Sequence, residues 1–598
     1  MNQRDSRRLR GANFLWDRPS AILEVGLEPH EDGERLVRAW RAELARVLPL
    51  VGWEHEASTA RVFPGGAMLA LAAPMDALLA ATEVNEWAFA SALDVLRGAP
   101  ARDPNEVAPA LRAKIDAERN PRLPALRAAA IEHRVPFYWD DKLASVGHGR
   151  WSHSYALDAL PDAAEVPWSE LRAIPTAIVT GTNGKTTTVR LLGAIGAAWG
   201  KHTGLSSTDW VRVDDEILDR GDYSGPVGAR LLLRDARTEL AILETARGGI
   251  MRRGMALESV DVAAITNVAN DHLGEFGNAT LELLADAKFV VTRIAERVVL
   301  NADCELLHAP ARAVKAPITW FARSESNPLV AAHLAAGGTA CVVRDGALTL
   351  LEPDAARRST RAHALGRVGR ISITMHGTAR HNVENCLAAA AIAFHLGAPP
   401  EAIARGLESF ESTPDSNPGR LNVFELGTTG GASATSGAGS TGVRCIVDFA
   451  HNAHGFEALF EMARALAPKR WAVLVGQAGD RDDASIVELA RMTWAARPDL
   501  TVLKEMKKYL RGRAEGEVLG MIEGEMRRAG APDSALVRAP SEIEAVRTAL
   551  AWSKPGDLLL LLCHAERERT IELLQRMRAD GWKAGQPVPE AAAAEPAH

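Results

Sequence analysis

Apolar residues fall into short runs separated by stretches of helical spacing, and from residue 176 the rhythm is regular. Thr176–Thr180, Leu240–Glu244, Val262–Val268 and Val298–Asn301 have strand length, and Lys185 to about Trp199 reads as a helix. Strands alternating with helices predict a parallel sheet covered on both faces. The rhythm restarts near Pro418, with strands predicted at Val443–Phe449, Trp471–Gly476, Thr501–Leu503 and Leu558–Leu562. That is a second, smaller α/β domain. The first ~165 residues are less regular. Ala67–Leu79 and Glu86–Leu96 fit amphipathic helices or a buried strand followed by a helix, and periodicity does not separate the two.

Three stretches break the rhythm. Ala156–Leu171, rich in Ala, Asp, Glu and Pro, reads as a linker. The Gly/Ser/Thr/Ala stretch between Gly427 and Gly442 reads as a flexible hairpin tip. The Ala/Glu/Pro-rich end from Pro587 reads as disordered. The predicted division is 1–165, 166–418, 419–585 and a tail at 586–598. There is no internal repeat.

Composition narrows the class. The 598 residues are 47% hydrophobic and 24% charged, in the range of globular chains. Lys+Arg 69 against Asp+Glu 76 leaves a net charge of −7, which offers no general attraction to nucleic acid. The five cysteines are scattered without metal-binding spacing, which points to a reducing compartment. No stretch has the ~18 apolar residues of a membrane span, and Met1–Arg10 lacks the apolar core of a secretory signal. The expectation is a cytoplasmic chain without membrane or nucleic-acid partners.

The strongest chemical signal is Thr180-Gly181-Thr182-Asn183-Gly184-Lys185-Thr186-Thr187-Thr188, between a strand and a helix. Gly181 and Gly184 allow a tight turn and close approach of backbone to phosphate. Backbone N–H groups and the helix N-terminus can then face an anion, so Gly181, Thr182, Asn183, Gly184, Lys185, Thr186 and Thr187 are the expected nucleotide-binding residues. Lys185 can reach the outer phosphates of ATP, and the Thr186 hydroxyl can bind Mg²⁺. The commoner phosphate loop has glycine six residues before its lysine; here that residue is Val179.

Downstream come Glu244-Thr245-Ala246-Arg247-Gly248-Gly249, Thr266-Asn267-Val268-Ala269-Asn270-Asp271-His272, Ala285-Asp286-Ala287-Lys288, His381-Asn382-Val383-Glu384-Asn385, Pro418-Gly419-Arg420 and Asp448-Phe449-Ala450-His451-Asn452. In this order they resemble the Mur ligase superfamily. The resemblance implies a central P-loop domain and a C-terminal Rossmann-like domain. It implies ATP and Mg²⁺ as cofactors, with Thr186, Glu244 and His272 as metal ligands. Lys288 matches a lysine carbamylated in many members; a solvated helix lysine is the alternative. Asn382 and Asn385 match positions near adenine, with helix capping open for Asn382. Arg420 and Asp448 match groups that close onto phosphate and ribose. Catalysis is thereby expected from Lys185, Glu244, His272, Lys288 and Arg420.

Leu9-Arg10-Gly11-Ala12-Asn13 and Ala81-Thr82-Glu83-Val84-Asn85-Glu86-Trp87-Ala88 resemble the α+β N-terminal domain of cyanophycin synthetases. So do Lys504-Glu505 and Gly479-Asp480-Arg481 in their Mur-like half. The short span from Arg150 to Thr176 leaves no room for that family's ATP-grasp domain. The resemblance therefore implies an ADP-forming ligase that joins an amino acid, arginine or lysine in the family, to a carboxylate of an aspartate-containing peptide or polymer. A separate ATP-grasp enzyme would make the backbone, and a homo-oligomer is implied. The alternatives are a ligase on a cell-wall or folate-like acceptor and a non-catalytic partner of a full synthetase. One departure is Ala453-His454, where the family usually has proline first.

Overall fold

In the computed structural model, which describes residues 1–271, 273–354, 359–427 and 442–591, the strand Thr176–Thr180 is wholly buried at the heart of an eleven-stranded sheet. Seven parallel strands form its middle. Their spatial order is Thr203–Ser206, Leu240–Glu244, Thr176–Thr180, Val260–Ile265, Ala295–Asn301, Ile318–Ala322 and Thr339–Arg344. Strand order reverses around Thr176–Thr180, so a crevice opens at the carboxyl ends of the middle strands, where α/β sheets bind ligands. The sheet is mixed rather than parallel throughout. Trp210–Val213 with Glu216–Arg220 extends one edge and Ala347–Asp354 with Ser359–Arg367 the other, all antiparallel. Polar and charged residues such as Arg212, Glu216, Glu352 and Arg361 interrupt the apolar runs of these edge strands.

The helix Lys185–Trp199 starts at Gly184 and stops at Gly200, both left-handed (φ 84° and 75°). Its apolar side joins the alanine-rich helix Arg380–His395 in one core beneath the sheet.

The C-terminal domain is a six-stranded sheet ordered Asn422–Leu426, Val443–Asp448, Leu558–Leu562, Trp471–Val475, Leu500–Lys504 and Leu536–Ala539. Only the first pair is antiparallel. Leu558–Leu562 begins and ends as predicted. Most of the expected hairpin tip, 428–441, lies outside the described residues. Near the chain end, Val588 and Ala591 pack on this domain's core.

The first segment is an antiparallel sheet, Asn2–Leu9, Ser20–Gly26, Gly66–Ala72 and Ser58–Phe63, with three helices on one face. The ambiguous stretch resolves as strand Gly66–Ala72 followed by helix Leu78–Leu96. Asn85 is fully buried there; it accepts from Trp40 Nε1 (2.8 Å) and donates to the carbonyls of Ala21 and Leu69. Asn13 folds the turn 11–18 by accepting from the N–H groups of Leu15 and Trp16. Both family-like motifs thus hold the fold. The span 156–171 is no free tether: Leu160, Val166 and Leu171 are buried against Leu123, Leu126 and Phe137.

Candidate active site

The phosphate loop is shaped by contacts only glycine tolerates. A Cβ on Gly181 (φ 153°) would lie 1.9 Å from Thr266 Oγ1, and one on Gly184 (φ 84°) 2.2 Å from Asn385 Oδ1. The end of the neighbouring strand holds the loop. Thr182 N donates to Asn267 O, Asn183 N donates to Asn267 Oδ1 (both 2.9 Å), and Thr266 Oγ1 donates to Asn183 O (2.6 Å). Lys185 Nζ folds back onto the carbonyls of Gly181 (3.1 Å) and Thr182 (2.9 Å). Gly184→Ala is expected to weaken nucleoside triphosphate binding at least about tenfold, since left-handed strain and the Asn385 clash act together. Titration with a fluorescent nucleotide measures this.

A cavity of about 480 Å³ lies over the loop, between the central and C-terminal domains. Thr182, Asn183, Gly184, Lys185, Thr186 and Thr187 line it, and Glu244, Asn382, Asn385, Arg420 and Asp448 join them from distant stretches of sequence. Gly181 sits behind the lining, against Thr266. His272 lies outside the described residues.

Glu244 is fully buried, and among the described residues neither carboxylate oxygen has a hydrogen-bond partner. Burial raises its pKa, against the opposing charges of Lys185 and Arg420. A buried carboxylate pair of oxygens without partners, beside the Thr186 hydroxyl, suits a hard divalent cation. Among the described residues no group of three His, Cys, Asp or Glu side chains forms a metal cage.

Lys288 is buried on the helix Leu281–Phe289, which excludes the solvated alternative. Burial, reinforced by the charges of Lys185 and Arg247, pulls its pKa well below the lysine range, which favours the neutral amine. Asn382 is not a cap: the helix is capped at Ala379, and Asn382 donates to Ile373 O (3.1 Å) while accepting from Asn385 Nδ2 (3.0 Å). Asp448 accepts from Leu421 N (2.9 Å) and Ala450 N (2.8 Å), so it holds the segment entering the C-terminal domain.

The structure adds residues that sequence reasoning missed. Asp209, after strand Thr203–Ser206, meets three guanidiniums: Arg190 (3.1 Å), Arg420 (3.3 Å) and Arg567 (3.2 Å). Burial pushes its carboxyl up, but Arg420, Arg567 and Arg190 outweigh that and hold it below the usual range. Arg420 Nη2 also reaches Thr186 Oγ1 (3.4 Å). Asn183 exchanges hydrogen bonds with Asn452 (3.1 Å each way), and His454, at the departure from the family pattern, sits 3.0 Å from Asn183 Nδ2. Lys504, fully buried, pairs with Glu542 and lies 3.0 Å from His564 Nδ1, which fixes the strand ends facing the cavity. Asp209, Arg190, Arg567, Glu542 and His564 stood in no motif, and no local spacing marks them; Asn183, Arg420, Asn452, His454 and Lys504 did stand in family-like motifs, but their partners were not legible.

A second cavity, about 300 Å³, opens beside the first. Asp271, Glu275, Asp480, Asp482 and Glu488 line it against Arg481 and Arg513.

The family model described as Mur ligase middle domain matches residues 179–393, and that of the Mur ligase glutamate ligase domain matches 435–563. A cyanophycin synthetase from Synechocystis sp. is 36% identical over 352 residues, 58% of this chain and 38% of that protein. One from Trichormus variabilis is 35% identical over 408 residues, 67% of this chain and 42% of that protein. The chain thus spans about two fifths of the length of these curated relatives. The structure of E. coli FolC in complex with DHPP and ADP has a TM-score of 0.47 at 20% identity, covering 68% of this chain and 89% of that one. Among the described residues no helix is long and apolar enough to cross a membrane.

Proposed function

We propose, from the premise that this chain carries the middle and glutamate ligase domains of the Mur ligase family, that it is an ADP-forming amide ligase. It joins an amino acid to a carboxylate of an aspartate-containing peptide or polymer, in cyanophycin-like metabolism. The observation that carries this reading is one cavity in which a phosphate loop, an unpartnered buried carboxylate and a guanidinium from the facing domain converge.

The chemistry follows from charge. A carboxylate oxygen is a poor leaving group, so the acid is first made an acyl phosphate by the γ-phosphate of ATP. The phosphate chain lies at the N-terminus of the helix Lys185–Trp199, since the N–H groups of Thr182 and Asn183 are taken by Asn267; Lys185 neutralises its outer end, and Arg420 meets charge that develops on the transferred group. Adenine sits toward Asn382 and Asn385, and ribose toward Asp448. Thr186 and Glu244, with His272, would hold Mg²⁺, which supplies charge neutralisation between phosphate oxygens. The buried Lys288 amine, favoured neutral, is the form that carbamylation requires. The amine then attacks the acyl carbon, and phosphate leaves.

Asp482 and Glu488 at the second cavity support a cationic amine donor, arginine or lysine, while Asp271, Glu275 and Asp480 there already pair with Arg481, Arg247 and Arg511. The division 1–165, 166–418, 419–585 and 586–598, a separate ATP-grasp enzyme for the backbone, a homo-oligomeric state and a cytoplasmic location belong to the same reading.

With ATP, Mg²⁺ and aspartyl peptides, purified protein is expected to release phosphate when arginine or lysine is added. Mass spectrometry should then find the isopeptide product. Nucleotide binding without turnover across the whole amino-acid panel would overturn the reading.

A further inference from the structure

The N-terminal sheet has a second face. Opposite its helices, Leu9, Ile22, Phe63 and Met68 pack onto Met251 and Ala287 of the central domain. Met251 lies on the helix Arg247–Arg253, which follows Glu244, and Ala287 immediately precedes Lys288. Between these contacts the chain leaves the strand Val260–Ile265, passes the phosphate loop at Asn267 and turns at 274–278.

That turn is held in an unfavourable shape. Phe276 (φ 54°) and Gly277 (φ 69°) are both left-handed, a conformation phenylalanine rarely adopts. Arg61, on strand Ser58–Phe63, donates Nη1 to Phe276 O (3.2 Å) and Nη2 to Gly277 O (2.8 Å). Its guanidinium lies over the rings of Phe14 (4.6 Å) and Phe63 (5.5 Å). Phe63 covers Gly277 so closely that a Cβ there would approach its ring to 2.4 Å. At the head of the same loop, Asp271 faces the C-terminal domain through Arg481 (2.9 Å) and His451 (3.5 Å).

We infer that the N-terminal sheet buttresses the turn 273–278 and that Arg61 is a positioning residue for the ligase site; this rests on the ligase reading above. Arg61 lines neither cavity, so it acts through the loop. A segment without ladder hydrogen bonds opens locally at low cost unless something outside it ties it down. Two hydrogen bonds from a charged donor and an aromatic cover supply that tie.

The test uses the full chain, with amide hydrogen exchange read beside steady-state phosphate release. In Arg61→Ala, exchange at 273–278 is expected to quicken about tenfold, the effect of losing hydrogen bonds from a charged group. The kcat should fall about tenfold while KM for ATP stays put, because the phosphate loop keeps its own contacts to Asn267. Arg61→Lys, which retains one charged donor, should recover part of both effects, and it takes over the test if the alanine variant does not fold. Unchanged exchange at 273–278 would overturn the buttress. Faster exchange with unchanged kcat would overturn the positioning role. If the unmodified chain forms no amide with any substrate, the ligase reading has failed, and the exchange measurement still decides the buttress.

Discussion

Lys185→Ala is expected to lower ATP-dependent phosphate release about 10³-fold, the scale on which preorganised cationic groups act in phosphoryl transfer. Among the described residues, Lys185 Nζ bonds only to carbonyls of its own loop, Gly181 and Thr182. Losing it removes a charge from the cavity without opening a hole in the core. The loop itself stays fastened through Asn267 and Thr266. The thermal midpoint should therefore stay within a few degrees of the unmodified chain. Phosphate release by coupled assay, set beside a melting curve, checks both halves. A variant that retained most of its turnover would remove the lysine from the chemistry.

Asp209→Asn should produce the largest loss of stability. Asp209 is the one carboxylate on which Arg190, Arg420 and Arg567 meet, and the Arg190 side chain has no exposed surface. Removing one partner of a buried ion pair leaves an uncompensated charge, at a cost of about 3–5 kcal/mol. Because Arg420 opens the C-terminal domain and Arg567 begins its helix Arg567–Ala579, the same change should loosen the two domains. Denaturant unfolding measures the first effect, and small-angle scattering the second, as a larger radius of gyration. Acid should mimic the variant. The folded carboxyl is held below its ordinary value, so its stabilisation is complete above an ordinary carboxylate pKa of about 4 and is lost as pH falls through the lowered value. A scattering profile unchanged by both treatments would mean that other contacts, such as Asn183 with Asn452, hold the domains together.

Local patterns made the centre of the fold legible. The strand Thr176–Thr180, the helix Lys185–Trp199 and the strand Leu558–Leu562 each occupy the residues that their hydrophobic runs and glycine stops marked. The antiparallel edges at Trp210–Arg220 and Ala347–Arg367 were not legible: Trp210–Val213 and Leu348–Leu351 are largely buried, but Arg212 and Thr349 interrupt their apolar runs. Residues of the phosphate loop were readable because a tight turn before a helix needs particular residue types in consecutive positions.

The sequence by itself determined the glycine-rich turn between strand and helix, the strand–helix rhythm around it and the order of family-like motifs, since each depends on neighbours a few residues away. Only the tertiary structure decided that Asp209 draws Arg190, Arg420 and Arg567 together, that Lys288 is buried, and that Arg61 reaches the turn at Phe276. Those pairings join residues up to 358 positions apart. Their partners are chosen by how sheets and domains pack, and side chains that meet only through packing leave no shared spacing along the chain.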